Sequence, residues 1–329
     1  MHTLLFDTLQ DSAVRDLAWV IASPGLLQPD YPDYQGCVVD DAWCAAELNR
    51  AVEWLGALDR APLALHQFIA ARPTRRLGHY FETLIAFWLT HTADTEIIAT
   101  NLQVQDQERT RGEYDVIFRN ANAEVCHWEA AIKFYLQVDV SAEQKAFIGP
   151  GTRDRLDLKL SRVFNHQLLL GQTMAGQHAL PPHIKLDKAQ AFIKGYLFYH
   201  ASSQVNIGIQ GVSPAHLRGW WARHSLEDIP KNSTESRWII LPRLGWLAPA
   251  RVEGNTQMMD EAELGSHLTL HFESNSDAVL IFEMKRSATG CYQEISRGFV
   301  VCKNWPNIER INSSQITRQS PLVLQSLLF

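Results

Sequence analysis

The hydrophobic period of this chain switches repeatedly between residues 74 and 200, and that order of periods restricts its fold more than any other feature. TRRLGHYFETLIAFWLTH (74–91) places Leu77, Phe81, Leu84, Ile85 and Trp88 on one helical face. EIIATNLQVQ (96–105), YDVIF (114–118) and VCHWEAAIKFYLQV (125–138) then read as strands. Arg109-Thr110-Arg111-Gly112 parts the first pair, and Asn120-Ala121-Asn122 parts the second. After Gly149-Pro150-Gly151, TRDRLDLKLSRVFNHQLLLG (152–171) reads as a helix that Gly171 stops, and AFIKGYLFYH (191–200) as a further strand. Helix, three strands, helix, strand predicts an α/β (α+β) fold. Its centre is a mixed sheet flanked by helices, made of an antiparallel meander and one crossover return.

Around this core (74–200) lie two extensions. Residues 1–73 read as an acidic helical N-terminal extension. Residues 201–329 read as a mixed C-terminal extension that either continues the sheet or forms a second lobe. There PAHLRGWWARHS is read as a short helix, and RWIILP, HLTLHF, AVLIFEMKR and GFVVC as strands. No run of eighteen apolar residues occurs, so no membrane span is expected. Asp7 and Asp11 break the apolar stretch at the amino terminus, which argues against a secretory signal. The five cysteines are scattered without a CxxC pair, and Cys37 and Cys44 have the wrong spacing for structural zinc. A reduced, cytoplasmic protein is the expectation.

The net charge of −6 argues against indiscriminate coating of nucleic acid, but it is unevenly distributed. Residues 1–60 carry ten acids and three bases, a net −7 that could serve a protein partner. From 133 to 194 there are nine bases against five acids, and Arg155, Lys159 and Arg162 recur at helical spacing, suited to a phosphate backbone. Pairing with Asp154 and Asp157 on a solvated helix face is the competing reading.

Strand alternation gathers the chemistry. Glu129, Ala131 and Lys133 share a face of the third strand run, and Glu113 and Asp115 share one on the run before it. Paired as a hairpin, these would bring two or three carboxylates and a lysine together, oxygen donors of the kind Mg²⁺ takes. A lysine there could orient a water or offset phosphate charge, which suits metal-assisted phosphodiester hydrolysis. Lys133 sits in so apolar a stretch that a nearby carboxylate or ligand is expected for it.

This order and these residues resemble the core of the PD-(D/E)XK nuclease superfamily. RLGHYFETL, GEYDVIF, HWEAAIKFYL, IGPGTRDRLDLKL, HQLLLG and LPRLGWLAPA more closely resemble a bacterial domain family of unknown function placed in that superfamily. The resemblance implies Mg²⁺- or Mn²⁺-dependent cleavage of DNA. It makes Asp115 the metal-binding aspartate, Lys133 the lysine, Glu82 the acid of the first helix and Gln167 the polar residue of the second. Ala131 departs from it, standing where the superfamily has a carboxylate. Glu129, two residues earlier, lies roughly 13 Å rather than roughly 7 Å from Lys133 between Cα atoms. Glu113 could fill the gap instead. Two functions therefore stand side by side: a metal-dependent nuclease, or a catalytically degenerate nuclease-fold module that binds nucleic acid or protein.

Other signals are weaker. Glu283-Met284-Lys285 with Asp277 is read as a solvated strand face, and so are His267, His271 and Glu273. Trp220-Trp221 between arginines could stack on bases or be half core, half surface. Arg243, among apolar residues, calls for an internal acid.

Overall fold

Aspartates start the first helices. Asp11 accepts the Ala13 and Val14 N–H groups at the head of α1 (Ser12–Ala22), and Asp40 accepts Ala42 N–H at the head of α2 (Asp41–Arg60). The computed structural model describes residues 8–306, apart from 108, 204–207, 226 and 289. The first seven residues, part of the argument against a secretory signal, lie outside the described residues. After α3 (Leu63–Ala70) and α4 (Leu77–His91) come β1 (Glu96–Asp106), β2 (Arg109–Arg119), β3 (Val125–Gln137) and the short β4 (Phe147–Ile148). Next follow α5 (Leu156–Arg162), α6 (Met174–Ala179), β5 (Lys188–His200), β6 (Leu217–Arg223), β7 (Arg237–Ile239) and β8 (Arg251–Val252). The described chain closes with α7 (Glu261–Ser274), β9 (Val279–Arg286) and β10 (Tyr292–Val301).

The ten strands form one mixed sheet in the order β1-β2-β3-β5-β6-β10-β9-β7, with β4 paired to β3 and β8 to β10. β1, β2 and β3 are the expected antiparallel meander, and β5 returns parallel to β3. The C-terminal strands thus continue the sheet instead of building a second lobe. β3 is buried on both faces. Trp128, Ala130, Ile132 and Phe134 join a core with α1, α2 and α4, while Ala131 and Tyr135 join a second core with Leu156 and Leu160 of α5. Glycine permits the closest strand approach: Gly195, at φ +143°, lies opposite Lys133, and a Cβ there would sit 1.8 Å from the Lys133 carbonyl oxygen. Among the described residues no helix is long and apolar enough to cross a membrane.

Four expectations are corrected. Arg109–Gly112 is no linker but the start of β2, paired with β1. PAHLRGWWARHS is not helical; it supplies β6, where Trp221 is core and Trp220 half-buried. HLTLHF is not a strand but part of α7, which an Asp260/Glu263 capping box starts and Leu264 and Leu268, one turn apart, anchor to the core. The helix read at 152–171 is shorter and uneven. It begins at Leu156, passes at Val163–Gln167 into a π-helical turn closed by Leu168 N–H on the Val163 carbonyl, and Gly171 lies in a later 3₁₀ turn.

Candidate active site

The β2–β3 ladder runs from Arg119↔Val125 to Val116↔Trp128 and ends there. At the next step the Asp115 carboxylate replaces the backbone acceptor: its Oδ2 takes the Ala130 N–H at 2.8 Å. The strands part at this point, and the acids separate with them. Glu113 turns toward α4, where Asn101 Nδ2 bridges Glu113 Oε1 (3.1 Å) and Glu82 Oε2 (2.9 Å). Asn101 makes that reach from a left-handed backbone, φ +50°. Glu129, only 3% exposed, turns the other way, toward α5. Its Oε1 accepts Lys159 Nζ at 2.9 Å and its Oε2 accepts Gln167 Nε2 at 3.1 Å.

Asp115 feels both groups. Burial first, then the charges of Glu129 and Glu82, push its carboxyl up to about 9, against the opposing pull of the Ala130 N–H and Lys159. The hairpin therefore brings together Asp115, Glu129 and Glu82, with Glu113 joined through Asn101, but not on one face as alternation predicts. Gln167 does reach Glu129 from the second helix, and it also donates to the Glu113 carbonyl at 3.4 Å. Gly112 leaves room for it, since a Cβ there would lie 2.8 Å from Gln167 Oε1. Among the described residues no group of three or more His, Cys, Asp or Glu side chains is arranged to hold a metal ion.

Lys133 has the carboxylate partner its surroundings call for, but that partner is neither Asp115 nor Glu129. Its Nζ donates to Asp154 Oδ2 at 2.6 Å, and the Tyr135 hydroxyl donates to the same oxygen at 3.1 Å. Ala131, at the departing position, packs in the α5 core. Lys133 and Asp154 instead line a cleft of about 720 Å³ between the 149–154 loop, the start of α4 and the Trp246 and Trp305 side chains. Arg153 and Arg243 stand exposed at its rim. Arg243 has no acid partner among the described residues, contrary to expectation, because it is not enclosed; its guanidinium lies 5.8 Å from the Trp246 ring centroid. Of Arg155, Lys159 and Arg162, Arg162 alone is exposed and has no acid partner among the described residues. Arg155 is bidentate to Asp157 (2.6 and 2.9 Å), and Lys159 points inward.

The weaker signals resolve differently. Glu283 is no solvated acid; it is fully buried and accepts from Asn232, Ser236 and Ser296. His267, His271 and Glu273 sit on α7, a helix, and so do not share a strand face. Sequence reasoning missed Asn101 and Tyr114, and it paired Asp154 with the bases of the following helix instead of with Lys133. His127, one strand repeat before Glu129, is fully buried with both ring nitrogens unpartnered among the described residues, and it is held neutral as burial lowers it to about 4. It meets Tyr114, whose buried hydroxyl is likewise unpartnered, edge-on at 4.9 Å. Strand alternation does place His127 on the face of Glu129, but it does not show that both ring nitrogens lack partners.

No curated protein and no solved structure matches the chain. Residues 15–301, which span the whole sheet and every acid and base of the site, match DUF1853, a domain of unknown function. The chain belongs to the DUF1853 family.

Proposed function

We propose that the chain is a divergent PD-(D/E)XK-type, metal-dependent nuclease that hydrolyses DNA phosphodiester bonds at the β2–β3 fork. The observation that carries the reading is Asp115: a half-buried carboxyl, crowded by Glu129 and Glu82, at the point where two central strands separate. Such a group ionises readily only when a cation joins it. In this reading Asp115 and Glu129 would supply the protein donors to one hard divalent ion. Asp115 Oδ1 has no hydrogen-bond partner among the described residues, Glu129 is the adjacent carboxylate, and Mg²⁺ is commonly held by one or two carboxylates with waters and substrate phosphate oxygens. Bound there, Mg²⁺ or Mn²⁺ would supply a Lewis acid and a water of lowered pKa. Gln167 fixes the Glu129 rotamer, and Lys159 offsets charge beside the acids. Glu82, hydrogen-bonded through His79 and Asn101, holds the negative field on the α4 side. Lys133, Arg153 and Arg243 give the neighbouring cleft three cations against Asp154 and Asp277, and Trp246 offers a base a stacking surface. In this arrangement Lys133 holds the nucleic acid through its phosphates, and Lys159 is the lysine nearest the acids.

A second reading, a degenerate module that binds nucleic acid without cutting it, draws on the saturation of Glu129 by Lys159 and Gln167 and on Ala131. Calorimetric titration with Mn²⁺ separates the two. The nuclease reading predicts one saturable site that Asp115→Asn abolishes. No metal binding, with DNA binding that falls with salt and with Lys133→Ala, favours the module.

A further inference from the structure

A second cavity, of about 660 Å³, lies between α2, the end of α4 and the β2–β3 turn, and it shares no lining residue with the cleft. From α2, Trp43, Glu47, Arg50 and Trp54 line it at helical spacing; Trp88 and Phe118 form its floor. Two features are unlike an ordinary packed groove. The first is aromatic: Trp43, about one-third exposed, packs at 5.6 Å on Trp88, and Trp54 stacks on His91 at 5.6 Å. The second is a carboxylate on this apolar stripe. Glu47 is 5% exposed, yet its only ion-pair partner among the described residues is Arg50, whose side chain is 72% exposed. Arg50 faces solvent and holds only Oε1, so Glu47 Oε2 is left without a hydrogen-bond partner among the described residues.

We propose that this cavity binds a small organic cation, with an alkylated ammonium group seated against Glu47 beside Trp43 and Trp88. Indole faces attract cations through their quadrupole, and the attraction grows as water is excluded. An alkylated ammonium needs no hydrogen-bond acceptor, so it can sit directly on the indole surface of Trp43 beside Glu47. An anion would meet Glu47 at close range and the net −7 of residues 1–60 at long range. Asp94, the other acid on the lining, adds to the negative charge that a cation would meet there.

The test is titration of the full chain, in EDTA, with choline and with its neutral carbon isostere 3,3-dimethyl-1-butanol, followed by tryptophan fluorescence and calorimetry. Choline should saturate and bind at least about tenfold tighter than the isostere. Trp43→Ala and Glu47→Gln should each weaken choline binding about tenfold, and Arg50→Ala should strengthen it by freeing Glu47. The Arg50 change lies at the surface, so its opposite sign keeps the test decisive if Trp43→Ala misfolds. Equal binding of choline and the isostere, no saturable binding, or indifference to Glu47→Gln and Arg50→Ala would each overturn the proposal. None of these outcomes bears on the Asp115 site.

Discussion

At the scale of single residues, the site is a problem of charge without enough compensation. Glu129 is the most enclosed of its acids, and Lys159 and Gln167 are what make its burial tolerable. Removing one partner of a buried ion pair strands the other. Lys159→Met is therefore expected to lower unfolding free energy by about 3 kcal/mol, and adding Glu129→Gln should recover much of it. Urea denaturation of the single and double variants checks this; equal stability of Lys159→Met and wild type would mean the pair contributes nothing. Asp115, Glu129 and Lys133 were legible as candidates from strand alternation, whereas Glu82 and Gln167 were named only through the family resemblance. Their partners were not. Asp154 reaches Lys133 from a loop 21 residues away, and Lys159 reaches Glu129 across 30. Alternation tells which face a side chain takes, but not which residue of the opposing element stands over it. It also fails where a side chain replaces a backbone acceptor, as Asp115 does.

At the scale of elements, long segments with one period were read correctly, and short ambiguous ones were not. α4, β1, β3 and β5 each carry enough repeats to fix their type. HLTLHF alternates over only six residues, so it looks like a strand, while the Asp260 cap and the Leu264/Leu268 turn decide for helix. LRGWWAR becomes a strand because β5 and β10 flank it and supply ladder partners on both sides, information its own seven residues do not carry. The π-helical turn at Val163–Gln167 had no sequence signature, yet it sets the orientation of Gln167. Gly195 is the most demanding position in the β3–β5 pair. Gly195→Ala would drive a methyl into the Lys133 carbonyl, so a loss of about 4 kcal/mol or failure to fold is expected, read from thermal denaturation or soluble yield. A fully stable Gly195→Ala protein would contradict the strand register.

At the scale of the whole molecule, the N-terminal helices and C-terminal strands are parts of the same core as the central sheet, and buried polar links tie them together. Arg15 of α1 donates to the Pro249 carbonyl, Asp16 accepts the Ala248 N–H and the Tyr80 hydroxyl, and Arg297 of β10 donates to the Trp246 and Ala248 carbonyls. Burial raises Asp16 from 3.8 to about 7 despite its hydrogen bonds and the nearby arginines. A carboxyl raised in the fold favours the folded state fully below pH 4, and that contribution is lost as pH rises through about 7. Asp16→Asn should flatten this part of the stability profile between pH 4 and 7.5, measured by chemical denaturation at each pH; an unchanged slope would mean Asp16 is ionised in the fold. The same scale revises the meaning of net charge. The acidity lies in the first sixth of the chain, beside the aromatic cavity, while the cleft between the 149–154 loop and the start of α4 carries Lys133, Arg153 and Arg243. Cleavage of DNA tests the account most directly. Plasmid, linear and single-stranded DNA are each incubated with Mg²⁺ or Mn²⁺ and either the wild-type chain or Asp115→Asn. The account predicts metal-dependent strand breaks that Asp115→Asn lowers at least about a hundredfold, a loss of about 2.7 kcal/mol in transition-state stabilisation. No cleavage of any substrate by the wild type, or equal cleavage by Asp115→Asn, would contradict it.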